Sequence, residues 1–326
     1  MLYVVMFAGL TLISYLAVRV ILARRYHALD IPNERSSHEL PTPRGGGLAI
    51  SVIVLLTALA LSVFGGFNLW SYLVTGALIA FIGWRDDRES LPAQQRFLAQ
   101  GIATLIILFT IGYWQTIEFS GVGILSLGWL GFLLTLMWIV GLTNAYNFMD
   151  GIDGIAGGVA CVGGLGWALL STNETVILMG IAIAAASLGF LAYNWSPARI
   201  FMGDVGSTLL GFTFAVFSLL TAAPVIGVLI LWPFIFDAVL TFLLRLAHHE
   251  NVFAAHRSHL YQRLIKLGYS HAQVASLYIA LTVIGVGFGW LWLNHKAVLV
   301  YILLPLCALG LWAGVTYLEA SRQTAQ

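Results

Sequence analysis

Residues 274–293 read VASLYIALTVIGVGFGWLWL, and residues 297–317 read AVLVYILLPLCALGLWAGVTY. Neither stretch holds an Asp, Glu, Lys or Arg, and only Asn294, His295 and Lys296 separate them. A helix needs about 20 mostly apolar residues to cross the hydrocarbon of a bilayer, so each stretch is long enough to span. The same pattern recurs outward through the chain, at 2–18, 46–64, 69–84, 97–113, 127–142, 155–170, 175–193, 207–221 and 225–246, which makes eleven candidate spans. Of the 326 residues, 60% are hydrophobic and 9% charged, against about 25% charged in a soluble domain. The expected fold is an all-α integral membrane protein, a polytopic bundle of about eleven transmembrane helices in a single domain, 1–326. Nothing before Arg19 resembles a basic leader with a small-residue cleavage site, so the first stretch reads as a retained span.

Net charge is +1, which gives no field to attract nucleic acid. Cys161 and Cys307 both lie in apolar runs and read as small core residues. Basic residues set the orientation, because they stay on the cytoplasmic side. With the N-terminus outside and the C-terminus inside, 14 of the 15 Lys and Arg fall on inner segments, and only Lys296 falls outside. The long polar loops, 23–45, 85–96, 143–154, 194–206 and 247–273, then all face the cytoplasm. Among the outer connections, Thr116–Phe119 and Gly123–Ser126 flank Gly121 and read as a small hairpin.

Of 14 acidic residues, five sit in three short inner segments: Asp86 and Asp87, Asp150 and Asp153, and Asp204. Adjacent aspartates repel, and a cation is the natural compensation. Asn144, Asn147, Asp150 and Asp153 recur at every third position, which predicts one polar face if that segment is helical. Oxygen donors without clustered Cys or His favour a hard ion, magnesium above all. Arg35, His38 and Pro41-Thr42-Pro43-Arg44-Gly45-Gly46-Gly47 fill the first loop, where the three glycines are expected to present backbone N–H groups to an anion. In the last large loop, the spacing predicts His256 and His259 on one helix face. Asp237 falls inside the ninth span, where a lipid-facing charge costs at least about 2.5–3.5 kcal/mol. It must therefore face inward, either into a polar cavity or onto a buried polar contact. Pro233 is expected to bend the helix that carries it.

Taken together, Pro41 through Gly46, Asp86-Asp87, Asn144 through Gly154, Phe201-Met202-Gly203-Asp204-Val205-Gly206-Ser207 and the segment from His256 to Arg263 resemble the polyprenyl-phosphate N-acetylhexosamine-1-phosphate transferases. That family includes the enterobacterial-antigen and O-antigen initiating transferases and the phospho-N-acetylmuramoyl-pentapeptide transferases. The resemblance implies a helical bundle whose cytoplasmic loops form the active site in a bacterial inner membrane. It implies Mg²⁺ as cofactor, with Mn²⁺ as a substitute, and Asp204 as the principal ligand, with Asp150 and Asp153 beside it. Asp86 and Asp87 would handle the lipid phosphate or the metal. Asn144, Asn147, Asp150 and Asp153 would hold the diphosphate and uridine, and His256 and His259 would contact the sugar or phosphates. Arg44 and Arg257 would bind substrate, with Arg85 and Arg88 as further neutralising cations. The implied partners are a UDP-N-acetylhexosamine donor, undecaprenyl phosphate as acceptor and membrane lipid, and a homodimer is left open. His256-Arg257-Ser258-His259 departs from the consecutive histidines of the pentapeptide transferases. It looks closer to O-antigen initiators acting on 6-deoxy sugars such as N-acetylfucosamine or N-acetylquinovosamine. A membrane transporter is the reading from another class, but transporter sites lie near the midplane, whereas these aspartates share one rim.

Overall fold

The computed structural model describes residues 1–23, 29–30, 41–251 and 256–324. Arg24, Arg25, Arg35 and His38 lie outside the described residues. The helices are α1 (Leu2–Ala23), α2 (Gly47–Phe64), α3 (Trp70–Glu89), α4 (Ala93–Thr110), α5 (Leu130–Phe148), α6 (Ile155–Leu170), α7 (Glu174–Asn194), α8 (Asp204–Leu220), α9 (Pro224–Ile230), α10 (Trp232–Ala247), α11 (Leu260–Lys266), α12 (His271–Leu293) and α13 (Ala297–Gln323). Every one of the eleven apolar stretches is helical. By length and composition alone six helices can cross a membrane, or seven if α9 and α10 are counted as one bent span. The chain is a multi-pass, mostly helical membrane protein.

One expected span is corrected. Residues 225–246 do not form a single helix: α9 and α10 meet at Leu231 with an 87° bend. Each of the two opens with a proline in its first turn, Pro224 and Pro233. Proline is tolerated there because its missing N–H would have no intrahelical partner anyway, and it cannot continue a helix from the preceding turn. The small hairpin forms as expected, with β3 (Thr116–Phe119) antiparallel to β4 (Gly123–Ser126) and Thr116 opposite Ser126. A second, shorter pair joins β1 (Leu29–Asp30) to β2 (Thr42–Pro43).

At the centre stands α8. Every residue from Val205 to Leu219 is buried, and α2, α3 and α5 pack around it. Behind them α7 contacts α1, α2 and α6. The α6–α7 crossing is so close that a Cβ on Gly164 would lie 2.6 Å from the Gly180 carbonyl oxygen, and the reverse holds too. In lipid, helices gain little from hydrophobicity alone, and small residues that let backbones approach supply the packing instead. By contrast, α1 exposes Leu2, Val4, Val5, Leu12 and Ile13, and α13 exposes Val298, Ile302, Leu306 and Leu309. A face that apolar suits acyl chains, not water. Because α8 is fully enclosed, its first turn is held rigidly at one end of the bundle, where the ends of α3 and α5 also arrive.

Candidate active site

Three helix ends meet there. Asp86 and Asp87 lie beyond the apolar part of α3, Asn144 and Asn147 on the last turns of α5, and Asp204 opens α8. The Asp87 carboxylate accepts from the Asp204 N–H (2.8 Å) and the Val205 N–H (3.1 Å). The first amides of a helix have no intrahelical partner, so a carboxylate from a neighbouring helix satisfies them and meets the positive end of the α8 dipole. Asn147 Nδ2 donates to Asp204 Oδ1 and to Ser207 Oγ, both at 2.9 Å. Asp86 accepts from the Leu91 N–H (2.6 Å) and from Arg96 Nη1 (2.8 Å). The same Arg96 nitrogen lies 3.5 Å from Asp204 Oδ2, so one guanidinium bridges two of the three acidic segments.

The charges in this cluster are out of balance. Burial pushes the Asp204 carboxyl well above the usual carboxylate range, and a hydrogen bond with Asp86 and the charges of Asp87 and Asp86 add to it. Burial raises Asp87 to about 6, although the two α8 amides and the Arg44 charge oppose the shift. Asp150 is raised well up by burial and by the charges of Asp204 and Asp87. Asp86 goes the other way. Its burial is outweighed by the hydrogen bond with Asp204, by Arg96 and by the Leu91 amide. Three acids whose carboxyls are raised by burial and by one another's charge form a site with room for more positive charge.

Several expectations from the sequence are corrected by the geometry. Two of the three loop glycines do not offer their amides to an anion: Gly46 N–H donates to the Phe201 carbonyl and Gly47 N–H to that of Met202, both at 2.9 Å. These bonds tie the start of α2 to the segment ahead of α8. The polar face expected across Asn144, Asn147, Asp150 and Asp153 does not form, because α5 ends at Phe148. Asn144 pairs with Gln100 (Nδ2 to Oε1, 2.6 Å), and Asp153 is buried, lying 3.3 Å from His271 Nδ1 and accepting from the Ala198 N–H (3.1 Å). Asp150 stays near the cluster, within reach of the Arg44 charge. His256 and His259 do not share a helix face either. His259 is the residue before α11, with its Nδ1 3.1 Å from Asp237 Oδ1, while His256 lies upstream in irregular chain. Arg85 pairs with Glu89, and Arg88 stacks over the Trp84 ring at 4.4 Å. Arg257 lies in the loop, beside His256.

Sequence reasoning overlooked Arg96 and Gln100. Both lie on the first turns of α4, four apart on one face, and point their polar groups at the acids and at Asn144. Arg96 counted only toward orientation. Its signal was a basic residue closing the segment that Asp86 and Asp87 open.

Comparison with known proteins bears on the same region. The family model for glycosyl transferase family 4 matches residues 69–222, which contain all five aspartates of the sequence pattern. A protein of Bacillus subtilis (strain 168), named "probable undecaprenyl-phosphate N-acetylglucosaminyl 1-phosphate transferase", is 34% identical over 80% of this chain and 77% of its own length. The chain belongs to the polyprenyl-phosphate N-acetylhexosamine-1-phosphate transferase family. Two further relatives of the transferase extend over similar shares. The decaprenyl-phosphate N-acetylglucosaminephosphotransferase of Mycobacterium leprae (strain TN) is 34% identical, over 86% of this chain and 81% of that protein. The phospho-N-acetylmuramoyl-pentapeptide-transferase of Synechococcus sp. (strain JA-2-3B'a(2-13)) is 32% identical, over 77% and 79%. Arg44 and the His256–Arg263 segment lie outside the part of the transferase that the family model matches.

Proposed function

We propose that the transferase moves an N-acetylhexosamine-1-phosphate from a UDP-sugar to undecaprenyl phosphate, releasing UMP, at the cytoplasmic face of a bacterial inner membrane. This would be the first membrane step of an envelope polysaccharide such as an O-antigen. The observation that carries the reading is the junction of Asp86, Asp87 and Asp204 at the rim of an apolar bundle. Anionic diphosphate and anionic lipid phosphate react there only if their charges are met.

The reaction forms one P–O bond and breaks one. An oxygen of the lipid phosphate attacks the sugar-bearing phosphorus, the phosphoanhydride bond breaks, and its electron pair leaves on UMP. Catalysis of this kind rests on positioning and charge stabilisation. A lipid phosphate with a second pKa of about 6 is already mostly dianionic at pH 7, so no strong base is required. Magnesium characteristically takes one or two carboxylates together with waters and substrate phosphates, and the Asp204 carboxylate, drawn up by burial among other acids, has the chemistry to be one of them. Asp204 would hold it. When bound, the ion would supply positive charge to the diphosphate. Arg96, already bridging Asp86 and Asp204, can turn toward a phosphate. Asn147 fixes Asp204, and Asp87 fixes the helix end that carries it.

Two of the three relatives are N-acetylglucosamine-phosphate transferases by name, which makes UDP-N-acetylglucosamine the first donor to offer. The 6-deoxy preference rested on His256 to Arg263, and two of those residues are engaged within the fold: His259 by Asp237 and Arg263 by Glu319. With detergent-purified enzyme, undecaprenyl phosphate and magnesium, UMP release is expected from UDP-N-acetylglucosamine or its 6-deoxy relatives. Release only from the muramoyl-pentapeptide donor would move the protein to the peptidoglycan step.

Topology is tested separately. The 14-to-1 distribution of Lys and Arg supports eleven crossings with the N-terminus outside. In sealed cells, with Cys161 and Cys307 replaced by serine, a membrane-impermeant maleimide is expected to label Lys296→Cys and to spare Gln94→Cys. Both positions are exposed. Labelling of Gln94→Cys from outside would reverse the proposed orientation.

A further inference from the structure

Asp237 has no exposed surface, yet it collects five donors. Its Oδ1 accepts from Leu260 N–H (2.9 Å), Thr241 Oγ1 (3.1 Å) and His259 Nδ1 (3.1 Å). Its Oδ2 accepts from the Tyr278 hydroxyl (2.6 Å) and Tyr261 N–H (3.2 Å). These donors come from α10 itself, from the chain entering α11, and from α12. A buried carboxylate is costly unless its lone pairs are filled, and here the filling fixes residues 259–261 in place.

From that foot the chain reaches the site. The Tyr261 hydroxyl donates to the Phe148 carbonyl (3.0 Å), at the end of α5 and next to Asn147, which holds Asp204. Gly151 packs on the same ring, and any Cβ there would collide with the hydroxyl. Tyr261 lies close enough to Asp150 and Arg257 for both charges to bear on it. On the far side Arg263 Nε donates to Glu319 of α13 (2.8 Å). His256 stands at the free end of this support, its ring centroid 4.9 Å from that of His259 and its Nδ1 2.9 Å from Ser258 Oγ.

We propose that Asp237 is a positioning residue for the donor substrate: its carboxylate anchors residues 259–261 and so holds His256 and Arg257 in register with the aspartate cluster. The proposal rests on the reading that this loop meets the nucleotide-sugar, and it gives Asp237 no contact with substrate. The acceptor, by contrast, approaches from the bilayer and does not depend on this loop.

Asp237→Asn keeps the shape but turns an NH₂ toward at least one donor and removes the charge. The expected result is a KM for the nucleotide-sugar raised about tenfold or more, the loss of roughly one charged hydrogen bond, with the KM for polyprenyl phosphate changed less than about threefold. Hydrogen–deuterium exchange in peptides covering 256–267 should rise, while 205–219 stays protected. Tyr278→Phe removes one donor of the five and should shift the same quantities less; it carries the test if Asp237→Asn does not fold. Parallel decline of donor and acceptor parameters, or unchanged donor KM with unchanged exchange, overturns the proposal. If wild-type enzyme uses no nucleotide-sugar at all, the functional reading falls, and the exchange measurement still judges Asp237 alone.

Discussion

Replacing Asp204 with asparagine leaves a folded transferase that turns over roughly 10²–10³-fold more slowly, the usual effect of removing one group from a preorganised charge-stabilising site. Folding survives because the substitution relieves strain in the charge distribution. Burial and the neighbouring Asp86 and Asp87 already push the Asp204 carboxyl toward its neutral form. Asparagine is neutral at every pH, and it can still accept the 2.9 Å hydrogen bond from Asn147 on its carbonyl oxygen. Activity suffers because the amide oxygen carries no net charge to hold a divalent cation against the diphosphate. Two measurements check this. Thermal melts of wild type and variant in detergent should agree within a few degrees, or favour the variant. Wild-type turnover should cease in EDTA and return with magnesium or manganese. Turnover of Asp204→Asn within threefold of wild type, or wild-type activity persisting in EDTA, removes Asp204 from the centre of the reaction.

The second large effect is expected at Gly203, which carries no functional group. Its φ is +76°, and a Cβ added there would lie 2.5 Å from Asp87 Oδ2. With ψ at 171° this backbone conformation is open essentially to glycine alone and costs another residue about 1–3 kcal/mol, and overpacking against a neighbour adds typically about 1–3 kcal/mol. The atom displaced is the carboxylate that accepts from the Asp204 and Val205 amides. Gly203→Ala should therefore lower the melting temperature and cut turnover by two orders of magnitude or so, as a shift of about 1 Å at a catalytic group does. Gly45→Ala is the control. Gly45 also has a positive φ, +102°, but a Cβ there meets nothing within 4 Å among the described residues, so the backbone cost dominates. If the two variants behave alike, contact with Asp87 is not what makes Gly203 necessary.

These two sites differ in how far the sequence discloses them. Asp204 stands out in a linear reading because a carboxylate beside glycines, between two apolar runs, has few structural uses. Gly203 beside it gives no sign that Asp87 occupies the space a side chain would need.

The sequence alone determined the membrane class, the helical character of the apolar stretches and the 116–126 hairpin. All three follow from apolar length, alternation and turn residues, which are local properties of the chain. It also determined which short segments hold the acids, since charges at the edges of apolar runs are visible in one dimension. Tertiary structure decided the rest. Pro233 announced a bend in the ninth span, but not that the bend would be an 87° break into two helices. Gly46 and Gly47 lost their expected anion role to the Phe201 and Met202 carbonyls, partners about 155 residues away that no spacing reveals. The end of α5 at Phe148 separated Asn147 from Asp150 and sent Asp153 to His271. Arg96 entered the site only because α4 packs against α3 and α5. Asp237, legible as a charge that must face inward, found its five donors only when α11 and α12 closed over it. Hydrophobic pattern is written along the chain, but the pairing of charges and amides is settled between segments distant in sequence, by the distances that packing leaves between them.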